Sequence, residues 1–464
     1  MRRALTGLAT LAAASLALVP AASAAGGPQV GVNVVLSTDI TPALVAQLDD
    51  LGRINSQYPD IDALTMKVRS SDLPALRALP FVEAATPDAQ RVGKPVPSSP
   101  FTDTTSGLGT WNTDQIGVYD TPLSLGARSV EQTGEDVYVA VLDTGLHSSW
   151  RHYFGEDRIA ADLGISFGGG GGERGSVSTQ PNKWSQDVNG HGTHVTSTIL
   201  GYNLDGVPVG GVAPEATVIP VKVLNQNGSG WSSVIAAGID YVTDLKVDGV
   251  LGDSPVVINM SLGGPALDAM EKAAVDRAIA NGIIVVAAAG NSGEAGMGYP
   301  GAYAPVISVA ANGWTGEWAG GPSWWNGSDV PEHATAAEAA GAAYITAFSS
   351  RALEDQDLDV AAPGSWIVGP MQTNAQLGYY FLGGTSMAAP HVAGTVALML
   401  EASPGLDQTA AEQLLEATAI PLQPGSRDVL DPTGTTTTIT WGANATGAGL
   451  LDVPAVIAAA SAAR

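Results

Sequence analysis

Hydrophobic positions along the chain fall into three patterns. Ala4–Val19 is a largely apolar stretch behind Arg2 and Arg3 and ahead of Ala22-Ser23-Ala24, the layout of a secretory signal over residues 1–24. A short mixed pattern follows over residues 29–85. Gly31–Leu36 reads as a strand. Thr41 reads as the cap of a helix that opens on Pro42, carries Leu44, Val45, Leu48 and Leu51 on one face and stops at Gly52. Ala63–Val68 reads as a second strand, Asp72–Leu79 as a helix ended by Pro80, and Phe81–Ala85 as a last strand. Together they predict a small α+β unit of βαββαβ type, ferredoxin-like, within residues 25–95. From Thr86 to Gly109 Pro, Ser and Thr dominate, which predicts a linker, placed at 96–110, with an exposed cleavage region.

The third pattern runs from Trp111 to the end. Val137–Leu142, Val218–Val223, Val256–Met260 and Ile283–Ala288 are largely apolar, as expected of strands covered on both faces. Ser233–Leu245, Ala266–Ala280 and His391–Glu401 read as helices. Such alternation predicts an α/β domain over 111–464, a mostly parallel sheet with helices on both faces and its site at the carboxyl ends of the strands.

Composition narrows the function classes. With 45 % hydrophobic and 14 % charged residues among 464, the chain has ample material for a large core and is no disordered polymer. No interior apolar run reaches the roughly 20 residues of a bilayer span, so no internal membrane anchor is expected. The net charge is −25; Lys plus Arg against Asp plus Glu balance over residues 1–95 (8 − 8), so the whole excess (12 − 37) lies beyond them. That surface repels nucleic acid and anionic lipid, and its plainest meaning is a solvated acidic exterior. The absence of Cys excludes disulfides and thiolate metal sites without opposing export.

Four strings stand where such a fold places its chemistry. Asp143-Thr144-Gly145 follows the strand 137–142, and Asn189-Gly190-His191-Gly192-Thr193-His194 follows a Gly-rich loop. Gly290-Asn291 follows the strand ending at Ala289, and Gly383-Gly384-Thr385-Ser386-Met387-Ala388-Ala389-Pro390-His391 opens a helix. Singly each has a bland meaning: a cap, a ribose ligand, a structural His. Read as a metal pair, His191 and His194 lack a third Glu or Cys ligand close by. Jointly the strings supply a nucleophile, a base, an orienting carboxylate and an oxyanion donor, the parts that acyl transfer needs.

The order Asp…His…Ser and the strings VLDTG, NGHGTH, AAGN and GTSMAAPH resemble those of the subtilisin-like serine proteases (subtilases), from about Trp111 to Val456 with interruptions. The resemblance implies a subtilisin-like fold. It makes Ser386 the nucleophile, His191 the general base and Asp143 its orienting carboxylate, with the Asn291 amide and the Ser386 N–H as the oxyanion hole. It also implies that Gly228-Ser229-Gly230-Trp231 and Ser261-Leu262-Gly263-Gly264 sandwich an extended peptide. Leu262-Gly263-Gly264 and Gly298-Tyr299-Pro300 would wall the pocket for the residue before the scissile bond. With Glu294 as a complication, that pocket predicts cleavage after large apolar or aromatic residues. The first unit resembles the subtilase pro-segment, a folding aid and intramolecular inhibitor, with self-cleavage expected between Pro87 and Gly109. The whole then reads as a secreted, extracellular, monomeric zymogen of a serine endopeptidase. It would act on proteins and peptides, need no cofactor for its chemistry, and bind no nucleic acid.

Several segments depart from the family. Gly168–Gly172 with Glu173-Arg174 begins an insertion before His191. Gly313–Tyr344 is another, and its Trp314, Trp318, Trp324 and Trp325 either pack the loop onto the body, stack on sugars or extend the cleft. Thr196 and Ser197 stand where the family has Ala-Gly. Structural calcium stays open. Where the family places a ligand Asp after the catalytic Asp, this chain has His152, a poor partner for a hard cation. Asn203-Leu204-Asp205-Gly206 and the Asp-rich stretch Asp240–Asp253 offer oxygens without defining a set. Two rival readings remain: a serine-carboxyl peptidase, which uses Glu where NGHGTH has His, and an inert binding protein on the same scaffold. The string Gly447–Asp452 resembles the end of the family's catalytic domain, so no appended module is expected.

Overall fold

The computed structural model describes residues 27–463 apart from 97, 102–109, 121–127, 169–173, 322–328, 332–334 and 374–375. The expected signal at 1–24, most of the Gly168–Gly172 insertion, and Trp324 and Trp325 lie outside the described residues.

The first unit runs β1 (Gln29–Leu36), α1 (Pro42–Asp49), β2 (Gly52–Tyr58), β3 (Ala63–Arg69), α2 (Leu73–Arg77) and β4 (Val82–Pro87). Its four strands form one antiparallel sheet in the order β2-β3-β1-β4. Thr41 Oγ1 accepts from Leu44 N at 3.4 Å and Pro42 opens the helix, so α1 begins as its sequence dictates. β2 is the strand that the hydrophobic pattern hides, because it is a polar edge strand. Gly52 begins it instead of stopping α1, and a Cβ there would lie 2.4 Å from the Lys67 carbonyl oxygen. Val32, Val34, Leu64, Met66 and Val68 of the sheet close over Leu48 and Leu76 of the helices, all fully buried.

The segment expected as a linker is structured in two places, which corrects that reading. β5 (Gln90–Val92) and β6 (Ser98–Phe101) are strands whose partners belong to the larger body. The Ser98-Ser99-Pro100 run of β6 favours an extended chain, and for both strands edges more than a hundred residues away supply the hydrogen bonds.

That body continues through α3 (Trp111–Gln115), β7 (Tyr138–Asp143), β8 (Ile165–Ser166), α4 (His191–Leu200), β9 (Gly201–Leu204), β10 (Val207–Gly210), β11 (Thr217–Lys222) and β12 (Ser229–Trp231). Next come α5 (Ser232–Val247), β13 (Val256–Met260), α6 (Ala269–Ala280), β14 (Ile283–Ala288), β15 (Ile307–Trp314), α7 (Ala336–Gly341), β16 (Ala343–Ile345), β17 (Val360–Pro363), β18 (Ile367–Thr373) and β19 (Gln376–Leu382). α8 (Thr385–Ala402) and α9 (Gln408–Thr418) follow. The central sheet has eight strands in the order β16-β15-β14-β13-β7-β11-β8, with β17 also on β15, and only the β15–β16 pair is antiparallel.

Alternation along these strands makes two cores. Val139, Val141, Val257, Ile284 and Val286 face α4 and α8, whereas Ala140, Leu142, Ile219, Val221, Ile258 and Val285 face α5 and α6. α8 begins at Thr385, well before the helix expected at His391, because Pro390 sits inside it without breaking it. Proline lacks the N–H that would bond the Ser386 carbonyl, and the Ser261 hydroxyl donates there instead, at 2.8 Å.

The first unit docks on the N-termini of α5 and α6. Asp88 accepts from Ser232 Oγ, Ser233 N and Ser233 Oγ at 3.0, 3.1 and 2.8 Å, capping α5 from outside its own segment. Asp268 caps α6 through Met270 N and Glu271 N, and Asn33 Nδ2 bridges Asp88, Ser232 and Asp268.

Candidate active site

The chemistry gathers where the parallel strands end. β7 delivers Asp143 as its last residue, the start of α4 presents His191, and the first turn of α8 presents Ser386; Asp143 and His191 are fully buried and Ser386 nearly so. Asp143 Oδ1 and Oδ2 lie 2.8 and 2.9 Å from His191 Nδ1, which fixes the proton on that nitrogen and leaves Nε2 as the base. Burial would push this imidazole down, yet the charge and hydrogen bond of Asp143 outweigh it, and the net shift is upward. Ser386 Oγ donates to the Ser261 carbonyl at 3.0 Å, and His191 Nε2 is buried without a hydrogen-bond partner among the described residues. The serine–histidine link is thus open in this state. Such bonds often tighten only around a reacting carbonyl.

Asn291 follows β14 and turns its amide into the cleft. Its Oδ1 accepts from Thr385 N and Thr385 Oγ1 at 2.9 and 3.0 Å, so Nδ2 is held outward as a donor. The Ser386 N–H lies in the first turn of α8, where no carbonyl of its own helix can take it.

Residues 88–96 run along a cleft that Asn291, Thr385 and Ser386 help to line. β5 pairs antiparallel with β12, setting Val92 opposite Ser229, Arg91 opposite Gly230 and Gln90 opposite Trp231. On the other side Val92 and Gly263 exchange two main-chain bonds of 2.9 and 3.0 Å, and Gly93 N donates to Gly228 O at 2.9 Å. Gly228, Ser229, Gly230, Leu262 and Gly263 therefore hold an extended chain between two edges. The Lys94 carbonyl oxygen then meets Asn291 Nδ2 at 3.4 Å, while Val96 N donates to Gly383 O at 2.8 Å just beyond. A Cβ on Gly93 would come within 3.3 Å of the His191 ring, so the presented bond, Lys94–Pro95, stands at the triad.

The pocket walls also come together. Gly264 and Tyr299 exchange main-chain bonds of 2.9 and 2.7 Å, and Gly298 N is tied to the Ala289 carbonyl at 2.9 Å. Glu294 leaves this pocket: it is 81 % exposed and pairs with Arg351 Nε at 3.4 Å.

Among the residues that the motifs do not contain, Asp187 matters most. Fully buried, it accepts from Gly190 N at 2.7 Å and from Thr193 N and Oγ1 at 3.1 and 2.7 Å, fixing the start of the helix that carries His191. Its spacing, Asp-Val-Asn-Gly before a helix, is the signal that could have found it. Thr144 Oγ1 accepts from Gly192 N at 2.8 Å, and Lys222 Nζ donates to the Thr144 and Leu224 carbonyls at 2.5 and 3.0 Å.

Other candidates resolve differently. His194 points away from His191, bonded through Nε2 to the Ile367 carbonyl at 3.0 Å, and burial pushes it down to about 3, so the two histidines form no metal pair. His152 lies 3.8 Å from Asp205 on the exterior. Asp240 and Asp244 of the Asp-rich stretch meet Asp60, but Arg277 occupies the group, at 2.6 Å from Asp240 and 2.8 Å from Asp244. The carboxylates of Asp357, Asp359 and Glu412 also converge within 4.8 Å, and the buried Asp359 Oδ1 has no hydrogen-bond partner among the described residues. Of the tryptophan insertion, Trp318 packs edge-on against Trp366 and Phe381, 5.4 and 5.1 Å between ring centres, so its described part covers the body. Glu317 beside it is fully buried, pushed up to about 8, and takes the Tyr344 and Ser365 hydroxyls at 2.8 Å each.

Residues 134–449 match the profile described as the Subtilase family, more than half of the chain. The chain belongs to the subtilase family. Its reaction class is that of a serine endopeptidase. This subtilase is 37 % identical over 291 residues to Subtilisin DY of Bacillus licheniformis, a match spanning 62 % of this chain and 84 % of that protein. To Subtilisin E of Bacillus subtilis (strain 168) it is 36 % identical over 293 residues, 62 % of this chain and 61 % of the relative's length. Among solved structures, fervidolysin from Fervidobacterium pennivorans superposes with a TM-score of 0.64 over 94 % of this chain and 62 % of its own; at 22 % identity this speaks to the fold alone. Sphericase gives 0.52 at 28 % identity, over 75 % of this chain and 99 % of its own.

Proposed function

We propose that this subtilase is a secreted endopeptidase made as a zymogen, in which residues 25–95 fold against the enzyme and lay their tail across its cleft. The observation that carries the reading is the Lys94 carbonyl at the Asn291 amide, with the preceding residues paired on both cleft edges. That is the pose in which Ser386 attacks a carbonyl carbon while His191 takes its proton, and Asn291 and the Ser386 N–H receive the oxyanion. The amide presented is that of Pro95, a tertiary nitrogen inside a ring, which suits an occupant that stays more than one that is quickly cut. Leu262, Gly263, Gly264, Gly298, Met297 and Ala288 border the pocket beyond, with no carboxylate among them, which favours large apolar residues before the cut. Lys94 itself is exposed, consistent with an ammonium kept in water.

Mass spectrometry of the purified chain with a fluorophosphonate probe tests the reading. The expected result is a labelled Ser386 peptide and a main species beginning between residues 88 and 110. A Ser386→Ala chain that still matures when purified alone would overturn self-processing. Structural calcium belongs to the same proposal, with Asp357, Asp359 and Glu412 as its oxygen donors; calcium returned to chelator-treated protein should then raise the melting temperature, and an unchanged value would refute it.

A further inference from the structure

The fourth residue before the presented bond, counting Lys94 as the first, is Arg91, and its surroundings are unlike those of its neighbours. Its side chain is completely buried. Nε lies 3.0 and 3.2 Å from the two carboxylate oxygens of Glu271, Nη2 also bonds Glu271, and Nη2 reaches the Ala266 carbonyl at 3.0 Å. Glu271 is itself buried to 0 % exposure, in the first turn of α6. The second carboxylate nearby, Asp268, adds negative charge without touching the guanidinium. Gly264 makes the room: a Cβ there would stand 2.8 Å from Arg91 Nη1 and 3.3 Å from its Cδ.

Only Arg91 belongs to the occupant of the cleft. Glu271, Ala266, Gly264 and Asp268 all belong to the body that remains when another peptide lies there. A carboxylate sealed from water is strongly disfavoured unless a cation with matching donors meets it, and the planar fork of arginine makes that match. A lysine would offer a point charge in its place, and an apolar side chain would leave the carboxylate unpaired.

We propose that Glu271 makes this a guanidinium subsite, so that the protease selects peptides carrying arginine four residues before the bond it cuts. The proposal rests on residues 88–96 occupying the cleft as a substrate does. Selection comes from the ion pair and from the cost of burying Glu271 beside anything else.

The test uses the full-length chain, matured by its own action, and four peptides Xaa-Val-Gly-Leu with a chromogenic amine, Xaa being Arg, Lys, Leu or Glu. The ratio of kcat/KM between peptides within one protein is read, since a merely structural role for Glu271 would lower all four together. The expected result is Arg over Leu by about tenfold or more, with Lys between and Glu last. In Glu271→Leu the order of Arg and Leu inverts, and in Glu271→Gln the Arg advantage collapses. Equal rates for Arg and Leu in the unmodified protein would overturn the subsite. Should none of the peptides be cut, the endopeptidase reading fails, and a turnover-free cycle decides the subsite alone. In the full-length Ser386→Ala chain, Arg91→Leu and Glu271→Leu each lower the melting temperature, and the double variant recovers most of the loss; additive losses would refute the pairing.

Discussion

Two carboxylates lie fully buried near the cleft, Asp143 and Glu271, and each meets one cationic or ionisable partner. Asp143 is matched by a histidine of the same body, held from behind by Asp187 and the start of α4. Glu271 is matched by Arg91, which comes from the segment lying in the cleft. The first pair is permanent machinery. The second is completed only by whatever peptide is present, so the same physics of buried charge orients a base in one place and reads a side chain in the other.

The comparison breaks first at Asp143. Asp143→Asn would leave the shape intact but favour the wrong imidazole tautomer, and a loss of about 10⁴ in kcat is expected, the magnitude known from subtilisin and from unrelated triads. A variant keeping near-native turnover would mean that His191 is oriented by something else. Next in size, Arg91→Ala in the full-length Ser386→Ala chain leaves Glu271 buried without its cation. Urea unfolding should report a loss of about 3–5 kcal/mol, less if the strand peels out of the cleft, and an unchanged midpoint would make the ion pair ornamental. The smallest effect is a displaced titration. Because Asp143 holds the His191 imidazolium above its ordinary value near 6.5, the base is still protonated at that pH. The acid limb of kcat/KM should therefore lie above pH 6.5, with activity rising into the alkaline range; a limb near pH 4 would instead favour a Glu base.

Much of this was legible in the sequence, for local reasons. The triad strings are contiguous, each at a strand end or helix start, and the inner strands announce themselves because both their faces are covered. What escaped depends on distant partners. β2 is a polar edge strand with no apolar period of its own. Pro390 reads as a helix breaker, and only the Ser261 hydroxyl, 125 positions away, explains why α8 runs through it. Residues 90–92 read as linker because the edges that order them lie far along the chain. Glu271, next to Lys272, has nothing local to mark it, because its partner stands 180 positions earlier.

Ser261 and Ser386 are joined twice over: the Ser386 hydroxyl donates to the Ser261 carbonyl, and the Ser261 hydroxyl donates to the Ser386 carbonyl. Ser261 also begins the stretch whose Gly263 grips the peptide main chain two residues on. The edge that measures where a peptide lies and the atom that attacks it therefore share one mounting. For Ser386 to hand its proton to His191, its hydroxyl must leave the Ser261 carbonyl, while the Ser261 hydroxyl can stay on the Ser386 carbonyl and keep the start of α8 tied to the peptide-binding edge.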